Sequence, residues 1–257
     1  MKLLASFTVF NGLELLEPAI RNILPHVDEV QLCWQGVSNK GEKRACVEVF
    51  CRAFEGGKVT LLEFRPDLTI NTKRNEAAKL QMRFDYAKRN GFTHILPMAC
   101  DHFYTGEQVQ WAKADIIANG HDLTHTAMFT YYKRPTWRVD PIEDYYCPFI
   151  TEVKDITSVG SVAGYPLRVD PSTQIGGFNK WRLYTPDEVL LHHYSMVRVD
   201  VAEKFRNAAA SIRWKPEQVD RFISDFERAE LGMPVAYFGG RVLVEAEDLF
   251  GIGHSNP

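Results

Sequence analysis

The first half of this chain alternates between strand and helix periodicity, and that alternation constrains the fold more than any other feature. Lys2 to Val9 is a short apolar run suited to a buried strand. Leu15, Leu16, Ile20, Ile23 and Leu24 then recur at helix-face spacing, with Pro18 read as part of the first turn. Glu29 to Trp34 reads as a second strand, Gln35 to Gly41 as a loop, Glu42 to Glu55 as a helix, and Val59 to Phe64 as a third strand. Thr72 to Asn90 is a longer helix with Ala77, Leu80, Phe84 and Ala87 on one face, ended by Gly91 as a left-handed cap. His94 to Met98 is the fourth strand. The run Thr105-Gly106-Glu107-Gln108 has the capping-box pattern and opens a helix to about Asn119, and Asp122 to Tyr132 is the fifth strand. Strands and helices in this order predict an α/β fold, a mostly parallel sheet flanked by helices. Ligands of such sheets sit outside the carboxyl ends of the strands. The loops of interest are therefore Phe10-Asn11-Gly12, Gln35 to Gly41, and Ala99 to Tyr104.

The second half is less regular. Arg134 to Ile150 is rich in Pro and aromatics and has no clean period. Val189 to Met196 reads as a strand containing His192-His193-Tyr194-Ser195, and Val199 to Arg213 and Pro216 to Leu231 as two helices. No repeat, low-complexity tract or linker divides the chain, so one domain over residues 1–257 is expected. The N-terminal run Leu3 to Phe10 is read as a first strand rather than a signal peptide, because no small-residue cleavage site follows it. No stretch approaches the roughly 20 apolar residues of a membrane span, and a cytoplasmic protein is expected. The five cysteines are odd in number and lack C-x-x-C spacing, which points to reduced thiols in or near the core. A formal net charge of -3 argues against a protein that coats nucleic acid by bulk charge.

Three common chemistries are missing from the motifs. There is no G-x-G-x-x-G after the first strand, no G-x-x-x-x-G-K-[ST], and no G-x-S-x-G. What remains is the acidic loop Ala99-Cys100-Asp101-His102, just past a buried strand. A carboxylate there either caps the next turn or holds a hard divalent cation facing a diphosphate. Lys73, Arg74 and Asn75 open a helix, where side-chain cations and free backbone N–H groups suit phosphate oxygens. Farther along that helix, Lys79, Arg83, Lys88 and Arg89 read as a solvated face.

The order of these features resembles the GT-A glycosyltransferases, close to the family 2 type. The residues that carry the resemblance are Phe10-Asn11-Gly12-Leu13-Glu14, Val27-Asp28-Glu29-Val30 running to Gln35-Gly36-Val37-Ser38, and Arg74-Asn75 opening a helix. They continue with Gly91-Phe92-Thr93-His94-Ile95-Leu96 running to Asp101, and with the late His193-Tyr194-Ser195-Met196-Val197-Arg198 followed by Lys204. The resemblance extends from Leu3 to about Asn207. It implies a GT-A-like (Rossmann-like) sheet in which residues 1–132 form the nucleotide-sugar-binding half. Residues 133–257 would form an acceptor-side half with C-terminal helices. It also implies a divalent metal, Mn2+ or Mg2+, held by Asp101 and His193. Here the chain departs from the family's Asp-x-Asp motif, because Ala99 stands where the first carboxylate belongs. His102 follows as a ligand, a contact to the donor sugar, or a plain substitution. Phe10, Asn11, Gln35, Lys73, Arg74, Asn75, Asp101 and Arg198 would contact the donor. His192 would point to the opposite face from His193.

The activity so implied is transfer of a sugar from a nucleoside diphosphate donor, uridine diphosphate by default, to a carbohydrate or other hydroxyl acceptor. An inverting transfer needs a general base, and the acidic pair Glu143 and Asp144 on an aromatic loop supplies two candidates, with Asp144 favoured. Tyr131, Tyr132, Trp137, Tyr145, Tyr146 and Trp181 are either core residues or platforms for sugar and base rings. Two alternatives stay open. One is a glycosyltransferase for hydroxymethylated bases of viral DNA. The stretch Val199 to Glu230, with six Lys/Arg against seven Asp/Glu, does not advertise the basic groove that duplex DNA would need. The other is a nucleotide-sugar-binding protein without turnover.

Overall fold

In the computed structural model, residues 1–154, 159–207 and 214–253 are described. The elements run β1 (Leu3–Val9), α1 (Leu13–Ile23), β2 (Glu29–Trp34), α2 (Cys46–Arg52), β3 (Val59–Glu63), α3 (Thr72–Arg89), β4 (His94–Ala99), β5 (His102–Phe103), α4 (Gly106–Asn119) and β6 (Leu123–Tyr132). There follow β7 (Arg134–Asp140), β8 (Cys147–Glu152), β9 (Trp181–Tyr184), β10 (Leu190–Met196), α5 (Val201–Asn207), α6 (Pro216–Arg228), β11 (Pro234–Val235) and β12 (Arg241–Glu245). The α/β class and the parallel sheet flanked by helices are as expected. Strands β3, β2, β1 and β4 lie side by side and parallel. β8 joins β4 antiparallel and leads to β6. Among the described residues, no helix is long and apolar enough to cross a membrane.

The sequence of β1 explains the layering. Leu3, Ala5, Phe7 and Val9 pack into the cluster shared with α1 and α4, while Leu4 faces α3 with Leu80, Phe84 and Ala87. A strand covered on both faces reads as one apolar run. Ser6 and Thr8 interrupt it, and both accept hydrogen bonds from Arg83 of α3, at 2.8 and 3.0 Å. Arg83 is therefore buried and not on a solvated face, as is Lys79 one turn earlier. A basic residue in a helix reads as exposed until its polar partners on the facing strand are known. Burial pushes the Arg83 guanidinium down to about 10.

Other corrections are local. Pro18 lies inside α1 and not in its first turn, because Gly12, at φ +72°, turns the chain out of β1 and starts the helix earlier. The helix expected over residues 42–55 shrinks to α2, since the chain before it forms a bridge between Val37 and Lys43. The aperiodic stretch from Arg134 contains β7 and β8. Both pair with β6, whose ten residues join two sheets: β8 and β9 flank its first half, β7 and β10 its second. Of the helix expected over 199–213, α5 is seen, and 208–213 lie outside the described residues. The capping box at Thr105 forms as its pattern predicts. The five thiols are free; Cys33, Cys51 and Cys100 are buried, Cys147 is half-buried and Cys46 is exposed.

Candidate functional site

The parallel strands end on one side at a cavity of about 220 Å³. β1 delivers Thr8, Phe10 and Asn11 to it, β2 delivers Gln35, Ser38 and Asn39, and β4 delivers Ala99, Cys100 and Asp101. α3 contributes Glu76 and Lys79 from the side, and the late segment contributes His193, Arg198, Lys204 and Asn207. The loop after β2 is tied over the cavity to α5. Lys40 Nζ donates to the Arg206 carbonyl at 2.6 Å, Arg44 pairs with Glu203 at 2.6 Å, and Asn207 Nδ2 donates to Glu42 at 2.7 Å.

Asp101 is the centre of the charge arrangement. It is buried, and its Oδ2 accepts a hydrogen bond from Arg198 Nη2. Lys204 Nζ lies 3.4 Å from the same oxygen and His193 Nε2 3.7 Å from it, while His102 Nε2 lies 3.9 Å from Oδ1. Burial alone would raise this carboxyl, but Lys204, Arg198 and His193 together hold it well below the ordinary carboxylate value. Burial, then the neighbouring His193, pushes His102 down to about 3. Burial also lowers Lys204, against the pull of Asp101.

Arg198 reaches Asp101 through a space that only glycine leaves open. A Cβ on Gly12 would overlap the guanidinium. Nε of Arg198 donates to the Ser195 carbonyl at 3.1 Å, and Nη1 is buried with no partner among the described residues. The cavity wall carries Lys79, Arg198 and Lys204 against Glu76 and Asp101, a net charge of +1.

Asp101, His102 and His193 form a group whose ligand atoms all lie within 4.8 Å of one another. One carboxylate oxygen and two imidazole nitrogens make a donor set that fits a divalent transition ion.

No family model matches this chain, and no curated protein matches it. Solved structures do. Mannose-1-phosphate geranyltransferase from Thermus thermophilus is 18% identical, with 60% of this chain and 51% of that one covered, at a TM-score of 0.36. S. aureus TarS 1-349 is 12% identical over 88% of this chain and 71% of that one, at 0.45. Glucosyl-3-phosphoglycerate synthase from Mycobacterium tuberculosis, solved with Mn2+, UDP and phosphoglyceric acid, is 14% identical over 50% and 43%, at 0.33. This chain thus spans about half the length of the first of these.

Phe10, Asn11, Gln35, Asp101, His193 and Arg198, singled out from the sequence, meet at this one cavity. Lys73, Arg74 and Asn75 do not line it. Asn75 is buried and occupied with Asp67, accepting from its N–H and donating to its carbonyl, both at 2.9 Å. Arg74 is exposed and Lys73 half-buried. The same helix sends in Glu76 and Lys79 instead, because those positions face the sheet edge.

Asp144 is exposed and paired with Arg168 at 2.7 Å and Arg241 at 3.4 Å, and Arg168 holds its carboxyl below the ordinary value. Glu143 accepts from Thr130 Oγ1 at 2.5 Å, and Thr130 is the register partner of His193. Of the six aromatics, Tyr131 and Tyr132 are core, Trp137, Tyr145 and Tyr146 are half-buried, and Trp181 is exposed; none lines the cavity. His192 stacks on Tyr131 and shares a hydrogen bond of 2.9 Å with its hydroxyl, apart from the Asp101 group. Lys204, which the resemblance singled out after the late motif without assigning it a contact, lies in α5 and stands over Asp101.

Proposed function

We propose that this protein is a glycosyltransferase that moves a sugar from a nucleoside diphosphate sugar, uridine diphosphate by default, to an acceptor hydroxyl. The observation that carries this reading is the buried Arg198, whose Nη1 has no partner among the described residues, beside Lys204 at the carboxyl edge of a parallel sheet. A buried donor left unpaired costs about 1–3 kcal/mol, and a diphosphate oxygen would satisfy it. As the bond from the anomeric carbon to the diphosphate breaks, negative charge grows on the leaving oxygen. Arg198 and Lys204 would offset that charge in a site shielded from water. A divalent ion, Mn2+ or Mg2+, held by Asp101 and His193 would add Lewis-acid stabilisation of the same charge. Phe10, Asn11 and Gln35 would contact the nucleoside, in keeping with a donor-binding half over residues 1–132.

For the acceptor, Glu143 is better supported than Asp144 as general base. Thr130 occupies one of its oxygens and leaves the other for the acceptor proton. Asp144 instead has two arginines to neutralise it; neither carboxylate lines the cavity itself. The test is a thermal-shift screen of nucleotide sugars with and without Mn2+, followed by a donor-hydrolysis assay. Ligand at a hundred times its Kd stabilises by about 2.7 kcal/mol, several degrees in this size range. Binding without hydrolysis would make the chain a nucleotide-sugar-binding protein, and no shift with any donor would end the reading.

A further inference from the structure

We infer that His102 is a metal ligand in place of the carboxylate missing at Ala99, and that the resulting site selects Co2+ and Zn2+ over Mg2+. The inference rests on the metal site proposed above at Asp101 and His193, but not on sugar transfer.

β5 is only two residues long, yet it pairs antiparallel with β10 so that His102 stands directly opposite His193. Directly opposed residues of an antiparallel pair share a face, with Cβ atoms about 4.5–5.5 Å apart. The two rings are perpendicular at 5.0 Å between centroids. Their Nε2 atoms approach the Asp101 carboxylate from separate sides, one 3.9 Å from Oδ1 and the other 3.7 Å from Oδ2. Neither separation is a hydrogen bond. Both are near the spacing of ligands sharing one ion, since bonds of about 2.1 Å put neighbouring ligand atoms roughly 3–3.5 Å apart.

The surroundings orient this trio. Arg198 holds Oδ2 of Asp101, and the Tyr194 N–H donates to the Asp101 carbonyl at 2.8 Å, which fixes the loop against β10. Carboxylates that bind metal are commonly held in this way by outer hydrogen bonds. Ala99 lines the same cavity with a methyl group and offers no ligand. The thiol of Cys100 turns away and donates to the Thr8 carbonyl at 3.5 Å. The donor set is therefore one oxygen and two imidazole nitrogens. Mg2+ favours all-oxygen ligands, whereas imidazole suits the later transition ions, whose affinity rises from Mn2+ through Co2+.

The experiment is calorimetric titration of chelator-treated full-length protein with MgCl2, MnCl2, CoCl2 and ZnCl2, with no nucleotide present. The visible absorption of bound Co2+ supplies a second readout. Co2+ and Zn2+ are expected to bind at least tenfold more tightly than Mg2+, with Mn2+ between. His102→Ala should weaken Co2+ at least tenfold and reduce its absorption, while His26→Ala, whose ring packs at Gly106 and does not line the cavity, should change neither. His102→Asp, which restores a carboxylate, should recover binding with the preference moved toward Mg2+ and Mn2+. This rescue, with apo melting curves for both variants, separates ligand loss from misfolding. Co2+ affinity within twofold of wild type in His102→Ala, alongside its loss in His193→Ala, would overturn the role of His102. Equal affinities for Mg2+ and Co2+ would overturn the selectivity. Metal binding as expected with no affinity for any nucleotide sugar would leave this inference standing and remove the transferase reading. Failure of every ion to bind would overturn the inference, while metal-free donor binding would still decide the transferase reading.

Discussion

Replacing Gly12 by alanine tests how Arg198 is held. Gly12 sits at φ +72° and ψ 31°, a conformation that costs an L-residue about 1–2 kcal/mol. The added Cβ also overlaps the Arg198 guanidinium. The far end of an exposed arginine would simply swing away. Here the side chain is only 4% exposed and is pinned by Asp101 and the Ser195 carbonyl. Moving it leaves a buried carboxylate short of its main partner. Breaking a buried pair costs about 3–5 kcal/mol, and the low end applies because Lys204 stays 3.4 Å from Asp101. Gly12→Ala should therefore cost about 4–5 kcal/mol in total, or roughly 8–20 °C in Tm at about 2–4 °C per kcal/mol. The assay is urea unfolding of Gly12→Ala, Arg198→Ala and the double variant. With Arg198 already removed, Gly12→Ala should cost only the backbone strain of about 1–2 kcal/mol, so the cycle shows a coupling of about 3 kcal/mol. Equal costs of Gly12→Ala in both backgrounds would refute the argument that the glycine exists to admit the guanidinium.

Acid should destabilise the fold through His125 and His192, which burial pushes down to about 4. The unfolded chain takes up these protons first, so stability is highest above about pH 6.5 and falls toward pH 4, by up to about 3 kcal/mol per histidine; urea midpoints at about pH 7 and 4.5 for wild type and His125→Gln check this, and parallel curves would contradict it. Asp101→Asn should cost about 3 kcal/mol at about pH 7 by leaving the buried Arg198 and the half-buried Lys204 unmatched. Because the Asp101 carboxyl is depressed in the fold, its contribution is present above about pH 4 and disappears at lower pH, so the wild-type and Asn curves should converge in acid; a constant gap would argue against it. If the transferase reading holds, Glu143→Gln should lower turnover about 10²–10⁴-fold, while Asp144→Asn should stay within about twofold of wild type, measured as donor consumed per enzyme at saturating acceptor.

Periodicity was enough to place β1, β2, β3, α3, β4, α4, β6 and β10 closely, because each is long enough to show its burial pattern locally. It was not enough for β7, β8 and β12, whose burial depends on which strand lies alongside and not on an alternation of their own. The loops at the carboxyl ends of the strands followed from the α/β topology, and Asp101, His193 and Arg198, which the resemblance singled out, come together at one cavity.

Only the folded chain decided which charges are buried and with whom. Lys79 and Arg83 look like solvent-facing residues of α3 until Glu76, Ser6 and Thr8 are brought against them. Asn75 looks like a phosphate contact until Asp67 occupies its amide. Lys204 comes to Asp101 from 103 positions away, and His102 comes opposite His193 through a strand of two residues. Short-range pattern records what each segment needs to bury. Pairing of charges and ligands from distant segments depends on the sheet register that sets them side by side, and that register is a property of the whole fold.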